Sequence, residues 1–321
     1  MPDLVADQTI APARADEPPS LDPYGEGNSG IPYVLTFAAS RPGPHVVLTA
    51  ILHGNEPCGA IALDRMLRSG LRPKRGRITF AFANVEAYLR REAGAPAPCR
   101  FVEEDMNRVW SPAVLDGKGG SAELRRARML RPVVESADYL LDIHSMQNDS
   151  EPLLLCGPLA KGRRLALELG FPSTVVADAG HAAGTRLRDY GAFGDEASPR
   201  NAVLVECGQH ADPRSGEIAM RAARGFIAHL GVIDPTAERR PETALPGRLM
   251  IEVTEAVTAA SLRFQFTQRF SGLDRIQRAG TVIAHDGEKA IATPYDDCVL
   301  VMPAEGCQPG QTAVRLGRVV A

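Results

Sequence analysis

The stretch Val46-Val-Leu-Thr-Ala-Ile-Leu52 breaks off in His53-Gly-Asn-Glu56-Pro57, and this junction decides the fold. An apolar run of this length reads as a buried strand. Pro57 suits the first position of a helix, and Cys58–Arg68 carries a helical pattern behind it. A buried strand that feeds a helix is the unit of an open α/β sheet. Such sheets bind ligands along the carboxyl ends of their strands. Imidazole and carboxylate are both good Zn²⁺ ligands, so His53 and Glu56 are candidate ligands. Taken singly, a histidine at a strand end is more often a packed or surface side chain.

Outward from this junction the pattern repeats. Strands are predicted at Tyr33–Ala38, Val46–Leu52, Ile78–Asn84, Asp138–His144, Pro152–Cys156, Thr174–Ala177 and Ala202–Cys207. Helical patterns at Cys58–Arg68, Ser121–Ser136, Gly162–Leu169 and Gly216–Leu230 alternate with them. This alternation predicts a three-layer α/β domain with a mostly parallel sheet. From Asp234 to Gly247 the chain turns charged and proline-rich (Pro235, Pro241, Pro246), the composition of a linker. Beyond it lie short strands punctuated by Gly and Pro: Leu249–Val257, Leu262–Thr267, Thr281–Ala284, Ala290–Ala292, Cys298–Met302 and Ala313–Val320. The expected domains are a flexible leader at 1–28, a catalytic domain at 29–238 and a small β-rich domain at 239–321.

Composition excludes several classes. A net charge of −3 and pI near 6.2 give no electrostatic case for nucleic acid or an anionic membrane. No apolar run is long enough to span a bilayer. The acidic, Pro/Ala-rich start lacks the basic and apolar segments of a secretory signal. The six cysteines form no Cys-x-x-Cys pair and read as reduced thiols of a cytoplasmic protein.

Four stations carry chemistry: His53-Gly-Asn-Glu56, Arg100-Phe-Val-Glu-Glu-Asp-Met-Asn-Arg108, Leu141-Asp-Ile-His-Ser145 and Val203-Leu-Val-Glu-Cys-Gly208. His53, His144 and Glu206 all fall at or near the ends of predicted strands. Two histidines and a glutamate supply three protein ligands and leave a fourth position for water, the arrangement of catalytic zinc. Asp142 stands two residues before His144, so strand alternation puts both on one face. There it can fix the imidazole tautomer from behind.

Together these motifs resemble the succinylglutamate desuccinylase/aspartoacylase family, a branch of the zinc carboxypeptidase clan. The matching stretches are His53-Gly-Asn-Glu56, Asp105-Met-Asn-Arg108, Asp142-Ile-His144 and Glu206-Cys-Gly208, across roughly 46–210. The resemblance implies a zinc-carboxypeptidase-like fold with one Zn²⁺ per chain on His53, Glu56 and His144. It implies Glu206 as general base and then acid, and Arg100 as the group that stabilises the oxyanion. Asn107 and Arg108 would grip the substrate carboxylate, and Tyr295 would be a loose counterpart of the family's C-terminal tyrosine. The implied activity is hydrolysis of the amide of a small N-acylated amino acid or related carboxylate, by a chain that forms homo-oligomers in many relatives.

Aspartoacylases place a further arginine about ten residues before the catalytic glutamate, but position 196 is Glu. Arg186, Arg188 and Arg200 are the available stand-ins. Asp178-Ala-Gly-His-Ala-Ala-Gly184 is expected to shape the pocket, with His181 a loop residue rather than a ligand. Gly25-Glu-Gly-Asn-Ser-Gly30 matches a dinucleotide pattern, but no strand precedes it and a strand follows, so it is a turn. Two alternatives stand beside the deacylase: a metallocarboxypeptidase acting on peptides, and a catalytically silent ligand-binding homologue.

Overall fold

The computed structural model describes residues 17–92, 99–181, 183–235 and 248–320. The first region contains β1 (Val34–Ala38), β2 (His45–Ala50), α1 (Cys58–Arg68), β3 (Arg77–Phe82), α2 (Val85–Glu92), α3 (Pro112–Leu115) and α4 (Ala122–Ser136). It continues with β4 (Tyr139–Met146), β5 (Leu153–Leu155), α5 (Ala160–Leu169), β6 (Thr174–Ala177), β7 (Asn201–Gln209) and α6 (Ser215–His229). The C-terminal region adds β8 (Leu249–Thr258), β9 (Phe264–Phe266), β10 (Asp274–Ile276), β11 (Val282–Asp286), β12 (Lys289–Ala292), β13 (Cys298–Val301) and β14 (Thr312–Val319).

Eleven strands form one sheet in the order β1-β3-β2-β4-β7-β5-β6-β8-β14-β13-β10. Its centre, β3-β2-β4-β7, is parallel throughout. Every residue of β2 is buried, as expected for a strand covered on both faces. Alternation along β2 sorts the layers. Val46, Leu48 and Ala50 face α1 and α6, packing among Leu63, Met66, Phe226 and Ile227. Val47 faces the other way, into a cluster with Leu124, Leu130 and Val134 of α4 and Trp110. The predicted three-layer α/β architecture is therefore present, and a separate three-stranded antiparallel sheet, β12-β11-β9, lies in the C-terminal region.

Three differences from the sequence reading have physical causes. Residues 17–28 are not a loose leader. Leu21 is fully buried, Tyr24 stacks on Phe82 at 5.2 Å, and the Tyr24 hydroxyl donates to Asp64 Oδ1 at 2.7 Å. Two apolar anchors in a Pro-rich segment suffice to dock it; residues 1–16 lie outside the described residues. Second, the C-terminal region shares the main sheet, because β8 pairs in parallel with β6. The expected boundary at 238/239 falls outside the described residues. Third, α2, α3 and β10 lie outside the predicted elements, all three being short.

The core also carries a pH-sensitive group. His45 Nε2 lies 2.8 Å from Thr79 Oγ1, and Nδ1 lies 3.1 Å from the Ser136 carbonyl. Burial, aided by Arg77, pushes its pKa down to about 4. The unfolded chain then binds a proton that the folded chain refuses between pH 6.5 and 4. Stability is complete above pH 6.5 and falls as the pH drops through that window. The loss is up to about 3 kcal/mol for this one group. Denaturant titrations at pH 7.5 and 4.5 should show a smaller acid destabilisation in His45→Gln than in the wild type; equal pH dependence would remove His45 as the cause.

Candidate metal centre

The site is assembled at the carboxyl edge of the parallel strands. After β2 the backbone turns sharply, with Ile51 at φ 53°, a conformation that costs a β-branched residue energy and is found where a site over-determines it. The turn delivers His53, and Glu56 N–H donates back to the His53 carbonyl at 3.1 Å. Gly54 is required here. A Cβ at this position would sit 2.5 Å from the Ala87 carbonyl carbon, so α2 presses directly on the turn. On the neighbouring strands, His144 of β4 and Glu206 of β7 are register partners, which puts their side chains on one face of the rim.

His53, Glu56 and His144 converge. Their nearest ligand atoms all lie within 4.8 Å of one another. His53 Nδ1 is 2.8 Å from Glu56 Oε1, and His144 Nδ1 is 2.8 Å from Glu56 Oε2. Behind each imidazole stands a carboxylate: Asp105 Oδ1 is 2.8 Å from His53 Nε2, and Asp142 Oδ2 is 2.8 Å from His144 Nε2. Thr49 donates to Asp142 Oδ1 at 2.7 Å and so steadies it. The Asp142–His144 approach lacks hydrogen-bond geometry, but the negative charge behind each ring favours a proton on Nε2, which leaves both Nδ1 lone pairs facing the same point as the Glu56 carboxylate. This donor set suits one divalent cation. Burial opposes charge on His144, yet Asp142 and Glu56 hold its pKa well above its ordinary value, so a cation bound at Nδ1 would displace a proton. Burial likewise opposes ionisation of Glu56, but His53 and His144 outweigh it and hold its pKa well below the usual carboxylate range.

Glu206 is different. Its Oε2 is buried without a hydrogen-bond partner among the described residues, and burial raises its pKa to about 8, with Glu56 adding to the rise and His144 opposing it. An unpaired carboxylate with a high proton affinity beside a cation site is suited to proton transfer. Arg100 reaches in from the other side, donating from Nη1 to Glu56 Oε1 at 3.1 Å with Nη2 2.9 Å from His53 Nε2. A short 3-10 turn at Met106–Arg108, capped by Asp105, presents Asn107 and Arg108. Asn107 Oδ1 accepts from Leu187 N–H at 2.9 Å, leaving its amide N–H groups for a ligand.

The cleft over this centre encloses about 490 Å³. Metal-site residues, Arg100, Asn107, Arg108 and Glu206 line it, together with the loop from Met302 to Thr312. His181 and Ala183 also line it, as expected for the glycine-rich segment. Gly184, at φ 146°, lets that segment pass where a Cβ would meet the Arg108 carbonyl at 2.3 Å.

Tyr295 does not belong to this group. It is absent from the cleft wall, its hydroxyl lies 2.6 Å from Thr254 Oγ1, and Arg318 stacks on its ring at 4.3 Å. It sits in the bend between β12 and β13 of the C-terminal region. Of the three stand-in arginines, Arg200 bonds the Glu135 carbonyl and Arg188 pairs with Asp189 at 2.9 Å; neither lines the cleft. Arg186 does line it, with its donors committed to Asp178 and Asp189.

Asp105 was quoted within a motif but given no task; its symmetry with Asp142 was the available signal. Glu123 was missed entirely. Fully buried at the start of α4, it accepts the backbone N–H groups of Val102, Glu103 and Glu104 at 2.6, 3.1 and 3.2 Å. Asn84 Nδ2 adds a fourth bond at 3.0 Å. This carboxylate therefore anchors the loop bearing Arg100, Asp105 and Arg108. Glu123→Gln turns one acceptor into a donor against these amides, at a cost of roughly 2 kcal/mol. We expect lowered thermal stability, unchanged metal content and a several-fold loss of any hydrolytic activity; unaltered activity would show that the loop needs no anchor.

Residues 42–230 match the family model described as the succinylglutamate desuccinylase/aspartoacylase catalytic domain. The chain belongs to this family. A succinylglutamate desuccinylase of Pseudomonas aeruginosa is 31% identical over 140 residues, covering 41% of this chain and 40% of the relative. One from Pseudomonas fluorescens is 42% identical over 73 residues, covering 22% of this chain and 19% of the relative. These matches thus span well under half of the curated relatives. The fold is shared more widely. A succinylglutamate desuccinylase/aspartoacylase structure from Rhodobacter sphaeroides superposes with a TM-score of 0.67 at 20% identity, covering 91% of this chain and 89% of that one. A succinylglutamate desuccinylase structure from Vibrio cholerae gives 0.69 at 19% identity, covering 89% and 85%. Within the family, the C-terminal region is part of the common fold, and the stations named above fall inside the matched catalytic segment.

Proposed function

We propose that this chain is a cytoplasmic zinc-dependent amidohydrolase that removes the acyl group from an N-acyl amino acid or a related small carboxylate. The observation that carries the reading is the pairing of Glu206, buried with a free oxygen, in register with His144, whose Nδ1 is turned onto Glu56. Zinc held by His53, Glu56 and His144, one ion per chain, would polarise the scissile carbonyl and acidify a water. Glu206 receives the water's proton and passes it to the leaving amine. Arg100 offers fixed positive charge where the carbonyl oxygen becomes an oxyanion. Arg108, with the Asn107 amide, grips the substrate carboxylate as a planar fork. Asp105 and Asp142 keep the two imidazoles oriented.

The rival reading, a carboxypeptidase acting on peptides, needs an open approach to the metal. The loop from Met302 to Thr312 walls the cleft, and about 490 Å³ suits a small molecule. A silent homologue would have no use for the complete set of ligands, base and Arg100. The test incubates the zinc-loaded protein with a panel of N-acyl amino acids, including N-succinylglutamate and N-acetylaspartate, beside a peptide library. Release of free amino acid from the panel with intact peptides is the expected result. Peptide trimming would favour the carboxypeptidase, and no hydrolysis at all the silent homologue.

A further inference from the structure

Ser145 offers the cleft a hydroxyl that the proton transfer does not use. It follows the ligand His144 on β4, is only 3% exposed and lines the cleft over the metal centre. Alternation along a regular strand would turn its side chain away from that of His144. The pairing of β4 with β7 is not regular here. The register shifts between His144 and Met146, so that Cys207 and Gly208, the latter at φ 94°, stand against the single residue Ser145. A bulge of this kind beside a site re-aims side chains. Past it, His210 N–H donates to the Met146 carbonyl at 2.9 Å, and His210 Nδ1 lies 2.8 Å from Ser145 Oγ. The Ser145 backbone N–H donates to Glu56 Oε2 at 3.3 Å, so the residue touches the metal site on one side and His210 on the other.

The hydrogen bond between serine and histidine has one favourable direction. Ser145 Oγ has no other partner among the described residues. If the His210 ring donated, the buried serine proton would be left unpaired, at the cost of its full desolvation. If the serine donates, its proton and the Nδ1 lone pair are both satisfied. Only hydroxyl lone pairs then stay open, and unfilled acceptor positions are the cheaper ones to leave. Burial, with Glu56 opposing and Arg100 adding, holds the His210 pKa below its ordinary value, which keeps the ring neutral and able to accept. The ring proton then sits on Nε2. Ser145 thus shows the cleft an oxygen that accepts and does not donate. Carbonyl and carboxylate oxygens of a ligand cannot fill that position, but an N–H can.

We propose that Ser145 Oγ accepts a hydrogen bond from the nitrogen of the amide being cleaved, and that His210 is the positioning residue that fixes its open lone pairs. The placement suits that atom. His144, next to Ser145 in the chain, is the register partner of Glu206, the group that delivers a proton to the leaving nitrogen. In that step the C–N bond breaks, its electron pair goes to nitrogen, and the proton of the Glu206 carboxylic acid joins it. Ser145 gains and loses no proton. It accepts from the amide N–H before cleavage and from a more positive N–H as the nitrogen is protonated, so the bond strengthens in the transition state. The role rests on the amidohydrolase reading and adds a discrimination to it: an amide that carries an N–H is favoured over an ester that has none.

The test compares amides with their matching esters in single turnover on the metal-loaded protein. The pairs are N-acetylaspartate with O-acetylmalate, and N-succinylglutamate with O-succinyl-2-hydroxyglutarate. Each pair differs by oxygen in place of one N–H. Ser145→Ala should slow the amide about 10-fold and leave the ester within about 2-fold. His210→Phe, which removes the ring acceptor, should lower the amide-to-ester ratio in the same direction. His210→Gln should recover most of it, because its Oε1 can again accept from the hydroxyl. Thermal denaturation and elemental analysis check that the variants are folded and metal-loaded. If Ser145→Ala slows amide and ester equally, or slows neither, the role of the hydroxyl is overturned while the amidohydrolase reading stands. If His210→Phe keeps the wild-type ratio, His210 is not the positioning residue. If the wild type cleaves no amide, the amidohydrolase reading itself falls and takes the role with it.

Discussion

Glu206→Gln is expected to leave a folded, metal-loaded protein that turns over at least roughly 10³-fold more slowly than the wild type. The substitution preserves shape and removes a carboxylate beside the metal ligands. Glu206 Oε2 has no hydrogen-bond partner among the described residues, so no structural bond through that oxygen is lost. The three converging ligand groups are His53, Glu56 and His144, and none is altered. Elemental analysis should therefore find the same metal stoichiometry in variant and wild type. Single-turnover assays with an N-acyl amino acid would read the chemical step alone. Activity within a few-fold of the wild type would take the proton-transfer role away from Glu206.

The second large effect belongs to His144→Ala, and it has two parts. The first is loss of one of three ligands, which should reduce bound metal to well below stoichiometric and activity to background. The second is a stability cost with a separate cause. His144 separates two buried carboxylates, Asp142 at 0% and Glu56 at 2% exposure, and each lies 2.8 Å from one of its ring nitrogens. Removing the imidazole leaves these anions facing a void. Breaking a buried ionic pair typically costs about 3–5 kcal/mol. Denaturant unfolding of metal-free wild type and metal-free variant isolates this cost from the loss of the ion. A variant as stable as the metal-free wild type would mean that the carboxylates are protonated or hydrated in the folded state.

Much of this was visible in the chain before any coordinates. The helix predicted at Cys58–Arg68 has those bounds in the structure, because an apolar strand, a turn and Pro57 frame it on one side and Ser69-Gly70 on the other. His53, Glu56, His144 and Glu206 were legible because strand ends are where α/β sheets collect polar side chains, and because the four stand in family order. Other residues were hidden by the range of their contacts. Arg315 of β14, whose Nε lies 3.6 Å from Asp178 Oδ2, is separated from it by β7, α6 and most of the C-terminal region, and nothing in its own strand distinguishes it from a surface arginine. Glu123 looked like an ordinary acidic residue in the first turn of a helix; only the folded loop brings three backbone amides to it. Tyr295 shows the opposite failure. An aromatic of the right kind in the right region was matched by type, and its hydroxyl proved to be engaged by Thr254. The leader expected at 1–28 hid two anchors, Leu21 and Tyr24, because proline-rich surroundings mask isolated apolar residues.

The parallel pairing of β6 with β8 has a consequence for how this protein can change. If the C-terminal region were removed before β8, the strand Thr174–Ala177 would become an open edge, offering unpaired amides and carbonyls to any neighbouring chain. The metal-bearing half is thus poorly suited to life as a free fragment, and its sheet is completed by the C-terminal region. The region that shields β6 from open pairing is thus the same one whose loop walls the cleft.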